Sequence, residues 1–129
     1  MKLVVACSLI DFDGRILLAK RPDDAQMGGL WEFPGGKVDA GETVEAALSR
    51  ELNEELGIFV DYAEPVMQIK HDYTDKIVLL DVWQIARYRG EPSGCEGQPV
   101  KWLAINELLA EQFPAANQAI VDWLIRQFS

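Results

Sequence analysis

The stretch from residue 36 to residue 58, GKVDAGETVEAALSRELNEELGI, most restricts what this chain can become. It holds six carboxylates and one arginine, with glycines toward both ends. Three of the acids, Glu51, Glu54 and Glu55, are spaced so that an α-helix puts them on one face, where their like charges repel. A fold that keeps them there needs something to offset the repulsion, and a divalent cation is the simplest candidate.

The apolar residues of this stretch predict a helix from Val44 to Leu56. Thr43 is a candidate N-cap, and Gly57 is a candidate left-handed residue just past the C-terminal end. At about 100° per residue, one side of this helix is apolar. The apolar positions are Val44, Ala47, Leu48 and Leu52. The three clustered acids project from the same side, so we expect them to lean toward the rest of the protein.

Acids placed in this way favour a metal site. Buried carboxylates must be paired, protonated or bound to a metal. Hard oxygen donors without neighbouring His or Cys suit Mg²⁺ or Mn²⁺ rather than zinc. The alternative from the residues alone is a solvated acidic face on a surface helix, because Glu is common in helices.

A glycine-rich loop, EFPGGK, precedes the helix at residues 32–37. Gly35 and Gly36 allow the backbone to approach a ligand closely, and the lysine that follows them can face a metal-bound phosphate. Arg50 lies next to Glu51 and can fix the orientation of a carboxylate, or it can form an ordinary surface ion pair.

This segment closely resembles the signature of the Nudix hydrolase family, G-x5-E-x7-R-E-U-x-E-E-x-G-U, in which U is a bulky aliphatic residue. Every signature position is filled, by Gly36, Glu42, Arg50, Glu51, Leu52, Glu54, Glu55, Gly57 and Ile58. The resemblance implies an α/β fold, the α/β/α Nudix sandwich with a central mixed sheet. It also implies metal-dependent hydrolysis of a nucleoside diphosphate linked to another group.

Segments outside the signature are similar to the MutT-like branch, whose bacterial members remove oxidised guanine nucleotides such as 8-oxo-dGTP from the precursor pool. These segments are residues 20–27, 31–37, 90–99 and 113–117. Cytidine-directed relatives share several of them. The resemblance therefore implies a nucleoside triphosphate pyrophosphohydrolase that forms a nucleoside monophosphate and pyrophosphate by water attack at the β-phosphorus.

The same resemblance implies the groups that bind the metal and act on the substrate. The expected ligands of Mg²⁺, or of Mn²⁺ in its place, are the Gly35 carbonyl, Glu51, Glu54, Glu55 and Glu96. Glu51 either ligates the metal or acts as general base, and Arg50 holds it in place. By sequence alone, Glu96 could equally be a solvated loop acid.

For the nucleotide, the resemblance points to Asn117, whose amide can both donate and accept hydrogen bonds at a guanine-like edge. Interpreted from the residues alone, Asn117 is instead a helix N-cap. Phe33 and Tyr73 are candidates to line the base, or else ordinary packing residues. Arg21 and Lys37 are candidate cations for the phosphates, or else solubilising surface charges.

Composition agrees with a small enzyme. A chain of 129 residues with 49% hydrophobic residues is expected to form one domain over residues 1–129. Its net charge of −9 argues against a polymeric nucleic-acid partner, which needs a basic patch, so the expected partner is a small nucleoside triphosphate. No apolar run is long enough to span a membrane. We expect a cytoplasmic protein, a monomer rather than a dimer, with reduced thiols at Cys7 and Cys95.

The remaining sequence predicts strands on both sides of the helix. The expected strands are residues 3–11, 16–20, 31–33, 59–70, 77–88 and 100–103, the fourth of them interrupted at Pro65. Loops are expected at residues 21–29 and 90–98, a short helical turn at residues 106–109, and a final helix at residues 115–128.

Three classes of function stay open at this point. The first is a pyrophosphohydrolase for oxidised guanine nucleotides. The second is a pyrophosphohydrolase for another nucleotide, such as CTP or 5-methyl-dCTP, or for a broad pool of nucleoside triphosphates. The third is a nucleotide-binding domain without activity, which the intact carboxylate set argues against.

Overall fold

The computed structural model describes residues 2–21, 29–110 and 113–128. In chain order its elements are β1 (Lys2–Leu9), β2 (Asp11–Phe12), β3 (Arg15–Lys20), β4 (Trp31–Glu32), β5 (Gly35–Lys37), α1 (Val44–Leu56), β6 (Phe59–Asp72), β7 (Ile77–Arg89), β8 (Val100–Ala104), 3-10 helices at Ile105–Ala110 and Ala115–Asn117, and α2 (Gln118–Phe128).

A mixed sheet forms the centre of the molecule, with strand order β5-β1-β7-β6. Strands β1 and β7 are parallel, whereas β5 pairs with β1, and β6 with β7, in antiparallel fashion. A smaller antiparallel sheet is built around β3, which pairs with β2, β4 and β8. The expected central mixed sheet is confirmed, and the smaller sheet accompanies it.

Neighbouring residues of a strand point to opposite faces of the sheet, so the mixed sheet has two apolar faces. One helix covers each of them. On β1, Ala6 faces α1 and Cys7 faces the α2 side. The core on the α1 side contains Ala6, Ile10, Leu17, Leu48, Leu52, Leu56, Ile58, Ala63 and Ile85. The core on the α2 side includes Cys7, Leu9, Val78, Leu80, Val82, Ile120, Val121 and Leu124. This arrangement is the predicted α/β/α sandwich.

The bounds of α1 are those predicted from the sequence. The Thr43 hydroxyl accepts a hydrogen bond from the Ala46 N–H at 3.1 Å, so it caps the N-terminus. Gly57 ends the helix with φ = 73°, and its N–H donates to the Asn53 carbonyl. Both ends of the helix that carries the clustered acids are therefore fixed by local interactions.

Several other bounds differ from the prediction. The first strand divides into β1 and β2, and part of the predicted glycine loop is the edge strand β5. Strand β6 continues through Pro65, but its register with β7 shifts at three points, one of them between Pro65 and Met67. The predicted final helix begins with the 3-10 helix Ala115–Asn117 before α2. Most of the predicted loop at residues 21–29 lies outside the described residues.

Both cysteines are free thiols, Cys7 buried and Cys95 exposed. Across the part of the chain that the structure describes, no helix combines the length and the apolar character that a bilayer crossing requires.

Candidate active site

The edge strand β5 brings the backbone against both β1 and α1. A Cβ added at Gly35 would overlap the Ala6 carbonyl oxygen, and one added at Gly36 would overlap the Glu51 carboxylate. The Gly35 N–H donates to Glu55 Oε2 at 3.2 Å. Glycine at these two positions therefore lets the strand lie directly beneath two of the predicted acids.

Arg50 is the centre of an ion-pair network on the same side. Its Nε and Nη2 each lie 2.9 Å from an oxygen of Glu42, so this pair is bidentate. Its Nη1 donates to Glu51 Oε1 at 2.9 Å and lies 3.5 Å from a Glu54 oxygen. The backbone carbonyl of Lys37 also accepts from Nη2, at 3.2 Å.

The prediction that Arg50 pairs with a carboxylate is thus confirmed for Glu51. Its principal partner, Glu42, received no role in the sequence interpretation, although it fills a signature position. The two hydrogen bonds from Arg50 lower the pKa of the Glu42 carboxyl to about 2, with help from the Asp39 N–H. Glu42 therefore keeps its charge and anchors the guanidinium that orients Glu51.

The three clustered acids do not share one environment. The Glu51 side chain is 18% exposed, whereas that of Glu54 is 52% exposed. The expectation that all three lean toward the protein is therefore wrong for Glu54. The physical reason is its place on the helix, because the buried side of α1 is formed by Ala47, Leu48, Leu52 and Leu56.

Negative charge is concentrated around Glu55. Burial is the largest cause, and together with the charges of Glu51, Glu32 and Glu96, in that order, it raises the pKa of this carboxyl to about 8 against the hydrogen bond from the Gly35 N–H. Burial also raises the pKa of Glu51, although Arg50 opposes the shift. A carboxylate held in such a place is stabilised by a proton or by a cation.

The loop of residues 90–98 folds over the C-terminal end of α1. The N–H groups of Ser93 and Cys95 donate to the carbonyls of Leu56 and Glu55, at 3.1 and 2.9 Å. The loop acid Glu96 is exposed, yet its charge contributes to the raised pKa of both Glu51 and Glu55. The structure thus brings Glu96 near the helix acids despite a separation of some forty residues.

The donor set has the chemistry of a site for a hard divalent cation. The groups gathered here are carboxylates and backbone carbonyls, the ligands that Mg²⁺ and Mn²⁺ prefer, and Glu55 is desolvated among other acids. Within the described residues, no three acidic, His or Cys side chains are grouped closely enough to hold an ion as they stand. The residues fit a metal by their chemistry, and Arg50 holds one of them, Glu51.

A cavity of about 260 Å³ lies on the α2 side of β1 and β5. All five predicted substrate-binding residues line it: Arg21, Phe33, Lys37, Tyr73 and Asn117. Gly35 and Gly36 line it as well. The cavity and the acids of α1 therefore meet along the edge strand β5.

Asn117 is buried, with 7% of its surface exposed. Its backbone N–H donates to the Pro114 carbonyl. Among the described residues, its side-chain amide forms no hydrogen bond. The helix-cap alternative is therefore not supported, and the amide is available to the cavity.

The two aromatic residues predicted to line the base, Phe33 and Tyr73, differ in how far they are free to contact a ligand. Phe33 is 3% exposed and stacks on Phe113, with ring centroids 5.6 Å apart. It also belongs to the core on the α2 side, so it is a packing residue as well as a cavity wall. Tyr73 is only partly buried, beside His71 and beneath the Lys76 ammonium group.

The sequence interpretation missed two charged residues of the cavity, Glu32 and Lys76. Glu32 forms an ion pair with Arg21 at 2.7 Å, so Arg21 reaches the cavity as a paired cation. Burial raises the pKa of Glu32, and Arg21 opposes that shift. Glu32 lies in the segment of residues 31–37, which resembles the family, but the sequence interpretation gave substrate-binding roles there only to Phe33 and Lys37.

Residues 5–123 match the family model described as NUDIX domain. The chain is 38% identical to the 8-oxo-dGTP diphosphatase of Escherichia coli K12, over 97% of this chain and 98% of that protein. It is 39% identical to the CTP pyrophosphohydrolase of the same organism, over 90% of this chain and 85% of the relative. A MutT structure, from work on the Aliivibrio salmonicida and Vibrio cholerae proteins, has a TM-score of 0.85 at 36% identity, covering 99% of this chain and all of that one.

Proposed function

The chain belongs to the Nudix hydrolase family, and from this premise we propose that it hydrolyses nucleoside triphosphates to a monophosphate and pyrophosphate. Its principal substrates are oxidised guanine nucleotides such as 8-oxo-dGTP. Like other Nudix hydrolases it uses a divalent metal, which we take to be Mg²⁺, with Mn²⁺ as a substitute.

The observation that carries this proposal is the position of β5 between the cavity and the acids. Gly35 and Gly36 line the cavity, and each also contacts a carboxylate of α1, Glu55 and Glu51 respectively. A base held in the cavity would place its phosphate chain along this strand, toward the carboxylates. The three residues of β5 would thus connect the cavity that binds the base with the carboxylates that act on the phosphates.

The metal would be held by Glu54, Glu55 and Glu96, with the Gly35 carbonyl as a further ligand. When bound, it supplies charge neutralisation at the phosphate oxygens and lowers the pKa of the attacking water. The exposure of Glu54 suits a ligand that reaches the ion from the solvent side.

The reaction itself forms one bond from water oxygen to the β-phosphorus and breaks the bond from that phosphorus to the oxygen shared with the α-phosphate. Glu51 is the candidate base that takes the proton from water. Arg50 binds its Oε1 and not its Oε2, so one oxygen is left for the proton. Burial raises the pKa of Glu51, which makes it a stronger base than an ordinary carboxylate.

Base selection is assigned to Asn117. The residue is 7% exposed and lines the cavity, its side-chain amide makes no hydrogen bond among the described residues, and a primary amide can pair with a guanine-like edge that carries both a carbonyl and an N–H. Phe33 and Tyr73 form walls for the base, while Lys37, exposed at the rim, supplies positive charge for the phosphates.

A second candidate is a pyrophosphohydrolase for CTP or 5-methyl-dCTP. The similarity to the CTP pyrophosphohydrolase of Escherichia coli favours it, and an amide at position 117 could also pair with a cytosine edge. A binding domain without activity is the weakest alternative, because every acid of the signature is present.

We further propose that residues 1–129 act as one domain, as a monomer, in the cytoplasm. Free thiols at both cysteines agree with a reducing compartment. The net charge of −9 agrees with a small nucleotide partner rather than polymeric nucleic acid.

Product analysis in ¹⁸O-labelled water tests the reaction. With Mg²⁺ and 8-oxo-dGTP we expect a nucleoside monophosphate without label and pyrophosphate that carries one ¹⁸O atom. Label in the monophosphate would move the attack to the α-phosphorus. Release of a diphosphate and inorganic phosphate would contradict the proposal.

A further inference from the structure

We propose that Gln98 is a positioning residue that fixes the loop acid Glu96 relative to the metal-binding end of α1. This inference rests on the proposed function, because it takes Glu96 as a group that acts on the metal. It concerns a side chain that the family signature does not include and that does not line the substrate cavity.

The last carbonyls of an α-helix have no partner within the helix and need donors from elsewhere. At the end of α1, the loop of residues 90–98 supplies them. The Leu56 carbonyl accepts from the Ser93 N–H, and the Glu55 carbonyl accepts from the Cys95 N–H. The loop is therefore attached to the helix through the backbone of a predicted metal ligand.

Gln98 adds a second attachment with its side chain. Its Nε2 donates to the Glu55 carbonyl at 3.0 Å, and its Oε1 accepts from the Glu96 N–H at 2.9 Å. One planar amide thus joins the backbone of Glu55 to the backbone of Glu96. Only a group that donates and accepts at once can make this bridge, which excludes carboxylate and ammonium side chains.

The tie to Glu96 matters because little else restrains that residue. Glu96 is exposed, and the next residue, Gly97, has φ = 83° and donates its N–H to the Gly94 carbonyl rather than to the helix. Within the described residues, the Gln98 oxygen is the acceptor for the Glu96 N–H. Without Gln98, the loop would stay attached at Ser93 and Cys95, and Glu96 would lose its own anchor.

Three variants test this step: Gln98→Met, which keeps length and removes both hydrogen bonds, Glu96→Gln, and the double variant. The measurement is Mn²⁺ affinity by calorimetry in the absence of nucleotide, together with hydrogen exchange of the Glu96 amide. Gln84→Met is the matched control, because the Gln84 side chain donates a single weak hydrogen bond, to Asp11 at 3.4 Å, and lies outside both the loop of residues 90–98 and α1.

We expect Gln98→Met to weaken Mn²⁺ binding about tenfold, the lower end of what loss of an orienting partner costs, and to speed exchange of the Glu96 amide. In the Glu96→Gln background the same change should have less than about a twofold effect, because the two residues act as one unit. Gln84→Met should leave both readouts unchanged.

Unchanged Mn²⁺ affinity in Gln98→Met, with weaker binding in Glu96→Gln, would overturn the role of Gln98 and leave the proposed function intact. Additive losses in the double variant would also overturn it. If Glu96→Gln itself binds Mn²⁺ normally, the proposed role of Glu96 fails, and this inference fails with it. Should Gln98→Met not fold, Gln98→Asn, whose amide is one methylene too short for the bridge, must show the same losses.

Discussion

For Asn117, the surroundings in the fold distinguish between two roles, a helix N-cap and a residue that recognises the base. An asparagine near a helix start is typical of an N-cap, yet here Asn117 lies buried in the wall of a cavity, and its side chain makes no hydrogen bond among the described residues. Position along the chain suggests one role and the three-dimensional environment suggests the other. A substitution can separate them.

Asn117→Ala should lower kcat/KM for 8-oxo-dGTP about ten- to a hundredfold more than for dGTP, because it leaves groups of the preferred base unpaired. Steady-state kinetics with both nucleotides measures the ratio. The melting temperature should change little, since no cap is lost. Asn106→Ala, at an exposed position outside the cavity, serves as control. An unchanged ratio together with a loss of about 1 kcal/mol of stability would restore the helix-cap interpretation.

Glu55 gives the metal-free protein a characteristic pH dependence. Its folded pKa of about 8 exceeds the ordinary value of 4.5, so between these values the folded state binds more protons than the unfolded state. Stability in EDTA should therefore fall as pH rises from about 4.5 to 8, by roughly 1–3 kcal/mol.

Glu55→Gln should flatten this slope and make the metal-free protein more stable than wild type at pH 8, while turnover is lost. Urea unfolding in EDTA at several pH values provides the measurement. Glu54→Gln, one position earlier with a largely exposed side chain, is the matched control and should keep the slope. If stability in Glu55→Gln still fell with pH as it does in the wild type, other groups, such as Glu32, would cause the pH dependence.

At the scale of elements, the sequence predicted α1 to the residue, because its two ends depend on local chemistry. Thr43 and Gly57 act within one turn of the helix. Strand β5 was missed because three residues with two glycines have no strand preference of their own. It exists through pairing with β1, which precedes it by about thirty residues.

The same distinction applies to the active site. Spacing alone placed Glu51 and Glu55 together on a helix, and it indicated a cation. The position of Glu96 depends on a loop that attaches to the carbonyls of α1, and no local pattern shows that contact. Asn117 came from the family resemblance and Arg21 and Lys37 from their charge beside the glycine loop, because the five cavity residues lie on four separate parts of the chain that no local pattern joins.

Gly36→Ala tests the close approach of β5 to α1. The added methyl group would displace the Glu51 carboxylate, and a misplacement of that order costs about a hundredfold in rate. We expect kcat to fall by that factor with little loss of stability, because the end of a flexible side chain can move aside. Measurements of kcat and thermal unfolding decide the outcome.

Gly14→Ala is the control, for which we expect a loss of stability without a loss of kcat. Gly14 has φ = 76°, and nothing lies within 4 Å of an added Cβ. The substitution should cost about 1 kcal/mol of stability through backbone strain and leave kcat unchanged. Normal turnover in Gly36→Ala would show that the position of Glu51 above this strand is not required.

For the whole molecule, the acidic charge makes a bound cation a source of stability. A ligand at a hundred times its Kd adds about 2.7 kcal/mol to the free energy of unfolding, which for a chain of this size corresponds to roughly 5–10 °C in Tm. Mg²⁺ should therefore raise the melting temperature, and Glu54→Gln should reduce the shift. Equal shifts in both proteins would place the stabilising ion elsewhere.

The choice of nucleotide is the most direct test of the whole account, because it depends on the cavity, the edge strand and the acids together. The measurement is kcat/KM of the purified protein with Mg²⁺ for 8-oxo-dGTP, dGTP, CTP and 5-methyl-dCTP. The account predicts the highest value for 8-oxo-dGTP, at least about tenfold above the others, as expected when a buried polar group selects its partner. A highest value for CTP or 5-methyl-dCTP would contradict it and would assign the cavity to cytosine.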